Sequence, residues 1–121
     1  MANNSNEVQI TFKAYNQEFN KSVTEMNKET ASLRQQMKLQ QEQMKHNATD
    51  SEKLKSKLGS LQQIYEVARR KTEATARQLE EVRALWGENS EEAKKLETQL
   101  RRNQIAEQQA ANAITATQQA L

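Results

Sequence analysis

Residues 86–92, with the sequence WGENSEE, hold one of only two glycines in a chain of 121 residues that has no proline. Gly87 directly follows Trp86, the only tryptophan, at a place where helices commonly end, because glycine reaches left-handed backbone conformations without a Cβ penalty. Asn89, or Ser90 as an alternative cap, can then begin a new helix. The stretch therefore predicts a reversal between two long helices.

The segment before this turn has the clearest periodicity in the chain. Apolar or small residues recur at alternating steps of four and three, which is the spacing of a coiled-coil seam. The large members of this seam are Leu54, Leu58, Leu61, Tyr65, Leu79, Val82 and Trp86, and Ile64, Val67 and Leu85 widen it on one flank. Thr49 stands in capping-box spacing to Glu52. We therefore expect a helix over residues 50–86, with Trp86 packed at the apolar end of the seam.

Weaker seams continue on both sides of this helix. The first consists of Phe19, Val23, Met26, Leu33 and Met37, and the last of Leu96, Leu100 and Ile114, with the polar residues Asn103 and Glu107 in between. These patterns predict further helices over about residues 16–45 and 90–121. The expected fold is all-α and elongated, either an antiparallel helical hairpin or a slim three-helix coiled coil. The seams alone also allow a homo-oligomeric coiled coil in which each helix pairs with another copy.

The first fifteen residues follow a different pattern. The sequence MANNSN is small and polar, which is typical of a disordered terminus. Between residues 8 and 13 apolar and polar residues alternate, which is the period of a strand. The sequence therefore predicts a disordered start and a short extended, strand-like segment over residues 1–15, ahead of a long-helix region over residues 16–121. A lone strand needs a partner, which must come from another copy, another protein or a missing part of the chain.

The composition limits the class of protein. Apolar residues make up 35% and aromatic residues 4% of the chain, which suits a narrow seam better than a thick core. The 18 basic and 16 acidic residues are interleaved and give a net charge of +2, so no segregated basic face is indicated. The absence of cysteine excludes disulfides and thiolate metal sites. Neither a signal-peptide pattern nor an apolar run of about 20 residues is present.

No set of residues has the spacing of a catalytic, cofactor or metal site. His46 is the only histidine and has no second ligand at helical spacing, so we interpret it as a solvated residue near a helix end. The cations Arg69, Arg70 and Lys71 wrap around their helix and are interrupted by acidic residues, without aromatic residues for base stacking. We therefore expect no enzyme activity, no cofactor, no small-molecule substrate and no direct nucleic-acid binding.

The order of these pieces resembles the N-terminal region of tail tape measure proteins from long-tailed bacteriophages. The resemblance covers about residues 8–109 and is carried by VQITFKAYNQEFNKSVTEMN, SEKLKSKLGSLQQIYEVARRKTEATARQLEEVR and GENSEEAKKLETQLRRNQIAEQQ. The matching residues are Phe19, Met26, Asn27, Thr49, Leu54, Leu58, Leu61, Gly87, Glu88, Asn89, Ser90, Leu96 and Leu100. Members of the family run to many hundreds of residues, so the resemblance implies an N-terminal piece, and the uncapped helical pattern at Leu121 agrees with a parent chain that continues.

The resemblance implies a structural role. In this family several copies occupy the lumen of the tail tube, tube subunits polymerise around them, and the length of the protein sets the length of the tail. The implied partners are further copies of the chain, the tail tube protein and the tail assembly chaperones. The implied location is the tail lumen of the virion, with the host cytoplasm during assembly. The alternatives are a generic coiled-coil scaffold, such as an internal capsid-assembly protein, and a nucleic-acid-binding rod.

Overall fold

The computed structural model describes the backbone of residues 2–121 and the side chains of residues 16–121. Three helices make up this stretch: α1 (Ala2–Met44), α2 (Asp50–Trp86) and α3 (Glu91–Ala120). No strand occurs between residues 2 and 121. The all-α prediction is therefore confirmed. The sequence predicted helices over 16–45, 50–86 and 90–121, so the largest difference lies at the start of α1.

The N-terminal segment is the part of the fold that the sequence analysis predicted wrongly. Because α1 begins at Ala2, the disordered start and the strand-like segment are replaced by helix from residue 2 onward, and Met1 lies outside the described residues. An isolated strand leaves its backbone N–H and C=O groups without partners, whereas a helix pairs them within the segment. The alternation of apolar and polar residues over positions 8–13 is therefore too short to prevent α1 from extending back to Ala2.

The first two helices form an antiparallel hairpin. Near one end of the rod, the Gln78 side-chain amide donates to Asn16 Oδ1 over 3.5 Å. Near the other end, Gln41 Nε2 donates to the carbonyl oxygen of Lys53 over 3.1 Å. Going from the Asn16 end of the rod to the Gln41 end, residue numbers rise in α1 and fall in α2. The two helices are therefore antiparallel, as the reversal at residues 45–49 requires.

The third helix packs on a different side of α2 and is also antiparallel to it. Arg83 Nη2 contacts Glu97 Oε1 at 3.0 Å, and Asn103 Nδ2 donates to Thr75 Oγ1 over 2.8 Å. In the described part of the chain, no α-carbon of α1 lies within 8 Å of an α-carbon of α3. The helix α2 is therefore the central element of an up-down-up rod, and α1 and α3 lie parallel to each other on either side of it.

The apolar core lies toward the end of the rod that carries the α2–α3 turn. Its buried members are Phe19, Val23, Met26, Val67, Leu79, Val82, Ala93 and Leu96, and Leu33, Ala74 and Leu100 pack against it partly buried. All three helices contribute to this cluster, so it holds α1 and α3 onto α2 at this end. The described part of the chain contains no helix apolar enough over a sufficient length to cross a membrane.

Candidate functional site

The predicted seam residues line the two helix interfaces to different depths. The buried members are Phe19, Val23, Met26, Leu61, Leu79, Val82 and Leu96. The half-buried members are Leu33, Met37, Leu54, Leu58, Tyr65, Leu100 and Ile114. Trp86 differs from the expectation, because 38% of its surface is exposed at the end of α2. Within the chain, α2 thus supplies apolar residues to both of its neighbours.

Two of the three residues that flank the α2 seam are buried more deeply than much of the seam itself, whereas Leu85 is 45% exposed. Ile64 and Val67 are each only 2% exposed, whereas Leu58 and Tyr65 are half-buried. This follows from the arrangement of the rod, because α2 packs against α1 and α3 on different sides. The apolar stripe of a central helix must be wider than the two-position seam of a simple coiled coil.

The turn between α2 and α3 depends on Gly87. Its φ of 92° is positive, as predicted, but its ψ of 158° lies outside the left-handed helical region and in a region that is essentially restricted to glycine. The Gly87 N–H donates to the carbonyl oxygen of Arg83 over 3.0 Å and so satisfies an orphan carbonyl at the end of α2.

The N-cap of α3 is Ser90, which the sequence offered as the alternative to Asn89. Asn89 lies in the turn, but Ser90 is the N-cap, with its Oγ accepting a hydrogen bond from the Ala93 N–H over 3.2 Å. The same hydroxyl donates to the carbonyl oxygen of Gly87 over 3.0 Å. A serine hydroxyl can donate and accept at once, so one side chain here holds both ends of the turn.

The turn between α1 and α2 is held by the capping box predicted at Thr49. Its Oγ1 accepts from the Glu52 N–H over 3.2 Å, and Glu52 Oε1 accepts from the Thr49 N–H over 3.4 Å. Lys53 Nζ also donates to the carbonyl oxygen of Lys45 over 3.1 Å, which binds the end of α1 to the start of α2. His46 is exposed in this turn.

A buried polar pair connects α2 to α3. Asn103 is 5% exposed and donates to Thr75 Oγ1 over 2.8 Å, and Thr75, fully buried, donates to the carbonyl oxygen of Lys71 over 2.8 Å. The polar residue that interrupts the third seam is therefore paired with a polar residue on the facing helix. A single buried polar pair of this kind commonly fixes the register between two helices.

Most arginines of the basic stretch in α2 form exposed ion pairs. Arg69 contacts Glu66 at 2.6 Å and Glu73 at 3.5 Å, and Arg70 contacts Glu29 of α1 at 3.0 Å. The hydrogen bond from Arg69 lowers the pKa of Glu66, and the same bond raises the pKa of Arg69. These pairs neutralise two of the three consecutive cations Arg69, Arg70 and Lys71.

The third cation, Lys71, points into an open groove between α1 and α3, which we call the α1/α3 groove. A cavity of about 270 Å³ in this groove is lined by Asn27, Thr30, Ala31, Arg34, Ile64, Ala68, Lys71, Asn103 and Ala106. Lys71 is half-buried there, and this burial lowers its pKa. Among the described residues, no carboxylate forms an ion pair with Lys71 or Arg34.

The groove was not predicted from the sequence, although part of its charge could have been found there. Lys38 and Arg102 each lie four residues from a groove-lining position, on α1 and α3 respectively. The signal is incomplete, because Glu107 lies four residues after Asn103 on α3.

No group of three or more His, Cys, Asp or Glu residues in the described part of the chain is placed to hold a metal ion. Comparison of the chain with protein-family models, with curated proteins and with solved structures gave no match. The functional argument therefore depends on the rod, its two turns and the α1/α3 groove.

Proposed function

We propose that this chain is the N-terminal region of a tail tape measure protein from a long-tailed bacteriophage, where it helps to set tail length and to template assembly of the tail tube. The observation that supports the proposal is the rod geometry, in which three long helices lie side by side along the length of the rod. A helix converts residue number into distance at a constant rise, so the 37 residues of α2 correspond to about 55 Å.

The packing of the rod also suits a protein that must be assembled and later released. Seven of the fifteen predicted seam residues are only half-buried, and the seam of α1 contains Met26 and Met37, which specify packing poorly. The side chains of the four ion pairs of the described residues are 32–56% exposed, and such pairs contribute little to stability. Such a rod can separate or extend at modest cost in free energy.

The proposed partners and location follow the same hypothesis. We infer that further copies of the chain, the tail tube protein and the tail assembly chaperones contact it, in the host cytoplasm during assembly and in the tail lumen of the virion. No enzymatic step is part of this role.

The second candidate is a coiled-coil scaffold, such as an internal capsid-assembly protein. The observation that favours it is the presence of large apolar side chains on the outside of the rod, namely Leu39 on α1 and Ile105 on α3. Exposed apolar residues on the outer faces of a rod suit lateral association with other subunits.

Tail length, measured by electron microscopy, tests the proposal. Two heptads removed in frame from each helix at one level of the rod keep the seam register and shorten a folded-back rod by about 21 Å. The same deletions shorten a fully extended chain by about 63 Å. As a control, an equal number of residues is removed from helical sequence elsewhere in the same protein, which we expect to shorten tails by about 63 Å. Tails of unchanged length in both deletions contradict a measuring role and favour the scaffold.

A further inference from the structure

The α1/α3 groove is open because both of its walls pack on α2 and not on each other. Its floor is formed by Ile64 and Ala68 of α2, and its walls include Ala31 of α1 and Ala106 of α3. Small side chains on the walls allow close approach of a further helix, since the distance between packed helices depends on the residues at the contact. The shape and the apolar floor thus match a helix laid lengthwise along α2.

The charge of the groove indicates which kind of helix fits. Arg34 and Lys71 line the cavity without an ion-pair partner among the described residues, whereas Arg69 and Arg70, on the other faces of α2, are paired with glutamates. A half-buried cation without a partner is unfavourable in the isolated chain, because it loses hydration without gaining a counter-charge. A carboxylate supplied from outside removes that cost.

The groove differs in this respect from the second groove of the hairpin. On the other side of α1, a cavity of about 310 Å³ is lined by Glu25, Glu29 and Glu73 together with Arg70 and Arg77, so carboxylates outnumber cations there by three to two. The α1/α3 groove has no carboxylate among its lining residues. Of the two grooves, only the α1/α3 groove has cations without carboxylates, so only this groove is complementary in charge to an acidic partner.

We propose that the α1/α3 groove docks an amphipathic α-helix of a partner protein, with carboxylates along both edges of a narrow stripe of small apolar residues. The stripe packs on Ile64 and Ala68, and the two acidic edges reach Arg34 on one side and Lys71 on the floor. Helix-in-groove docking of this kind is a recurrent mode of peptide recognition. The inference rests on the groove alone and does not require the tape measure proposal.

A nucleic acid fits the groove less well than a helix does. Sequence-independent binding of single strands combines cations with aromatic side chains on which the bases stack. None of the residues that line the cavity is aromatic. The floor is apolar instead, which favours the apolar stripe of a protein helix over a sugar-phosphate backbone.

The test uses a synthetic peptide as the probe. The peptide has 21 residues, is acetylated and amidated, and places alanine and leucine on one helical face with glutamate on both flanks. Binding to the full chain is measured by isothermal titration calorimetry. We expect saturable one-to-one binding that weakens as salt is added, because exposed charge pairs are screened. A matched peptide with lysine in place of glutamate is expected not to bind.

Matched variants locate the binding site. Arg34→Glu and Lys71→Glu are each expected to weaken binding about tenfold or more, because each places a carboxylate against the acidic edge of the probe. Lys55→Glu makes the same change of charge at an exposed position on the opposite face of α2 and is expected to leave binding unchanged. Arg34→Gln and Lys71→Gln, which only remove the charge, are expected to weaken binding less. Circular dichroism confirms that each variant remains helical.

Four results overturn the proposal. The first is no saturable binding of the acidic peptide, and the second is equal binding by the Arg34, Lys71 and Lys55 variants. The third is groove-dependent binding of a 20-nucleotide single-stranded DNA in place of the peptide. The fourth is a concentration-dependent dimer of the free chain, seen by analytical ultracentrifugation, that Lys71→Glu dissociates and Lys55→Glu does not, because the occupant is then a second copy.

Discussion

The two glycines of the chain occupy opposite kinds of position. Gly87 has a positive φ of 92° with an extended ψ, a combination that residues with a Cβ adopt only with strain. Gly59 lies within α2, and a Cβ added there meets nothing within 4 Å. The same chemical change, glycine to alanine, therefore has opposite consequences at the two sites.

We expect Gly87→Ala to destabilise the rod by about 1–3 kcal/mol, because alanine must adopt a backbone conformation that is essentially restricted to glycine. We expect Gly59→Ala to stabilise it by about 1 kcal/mol, because alanine is the better helix former. Urea denaturation followed by circular dichroism measures both. A loss of stability at both positions, or at neither, contradicts the assigned turn.

Lys71 is the residue at which stability and binding are expected to conflict. Replacement by methionine removes a half-buried cation near Arg34 and keeps the apolar stem, so we expect Lys71→Met to stabilise the chain by about 0.5 kcal/mol, a modest value because the ammonium group is still partly hydrated. The same variant is expected to bind the acidic peptide more weakly. Lower stability together with unchanged binding contradicts this account of the groove.

The difference in stability between the wild type and Lys71→Met is expected to depend on pH with a definite sign. Burial lowers the pKa of Lys71 below its ordinary value of 10.5, so the unfolded chain binds more protons than the folded chain between the two values. Wild-type stability relative to Lys71→Met is therefore expected to rise as the pH rises through this window and to level off above it. Arg34 is the only other charged residue that lines the cavity. Denaturation of both proteins at pH 8 and pH 11 measures the effect.

At the scale of the helices, the interface between α2 and α3 depends on the pair of Thr75 and Asn103. Thr75→Val removes the acceptor of a buried amide, which then lacks its partner, so we expect a loss of about 1–3 kcal/mol. Thr72→Val is the matched control, because Thr72 is half-buried and bonds only to the carbonyl oxygen of Ala68 in its own helix. Its expected cost is about 0.5 kcal/mol or less.

The double variant Thr75→Val with Asn103→Leu removes both partners of this hydrogen bond. Because no buried polar group is then left unpaired, we expect it to be more stable than Thr75→Val alone. We also expect it to lose register, with additional oligomeric species in analytical ultracentrifugation. Additive effects of the two substitutions, with a single species throughout, contradict a role for the pair in fixing the register.

The helices illustrate what the sequence could and could not predict. The seam spacing and the signals at Thr49 and Gly87 predicted α2 and the two reversals, because caps and apolar periodicity are local properties of the chain. The alternation of Val8, Ile10 and Phe12 predicted a strand wrongly, since a short period-two pattern cannot report whether a pairing partner exists. Ser90 rather than Asn89 caps α3, with its hydroxyl accepting from the Ala93 N–H and donating to the carbonyl oxygen of Gly87.

The groove could not be predicted in the same way. It depends on which flanks of α1 and α3 face each other across α2, and this requires the relative rotation of three helices. The residue types on each flank could be read from the sequence, but nothing in the sequence placed Arg34 and Lys71 on the same side of the rod.

At the scale of the whole molecule, both proposals depend on α2 pairing with α1 and α3 of the same chain. The most direct measurement is the distance between spin labels at Lys21→Cys and Arg77→Cys, two exposed positions at one level of α1 and α2, in a chain that has no cysteine of its own. Neighbouring antiparallel helices place the labels within about 25 Å, whereas one continuous helix places them about 84 Å apart. We expect the short distance, unchanged by a tenfold excess of unlabelled chain. A long distance, or a short one that disappears on dilution, contradicts the folded-back rod.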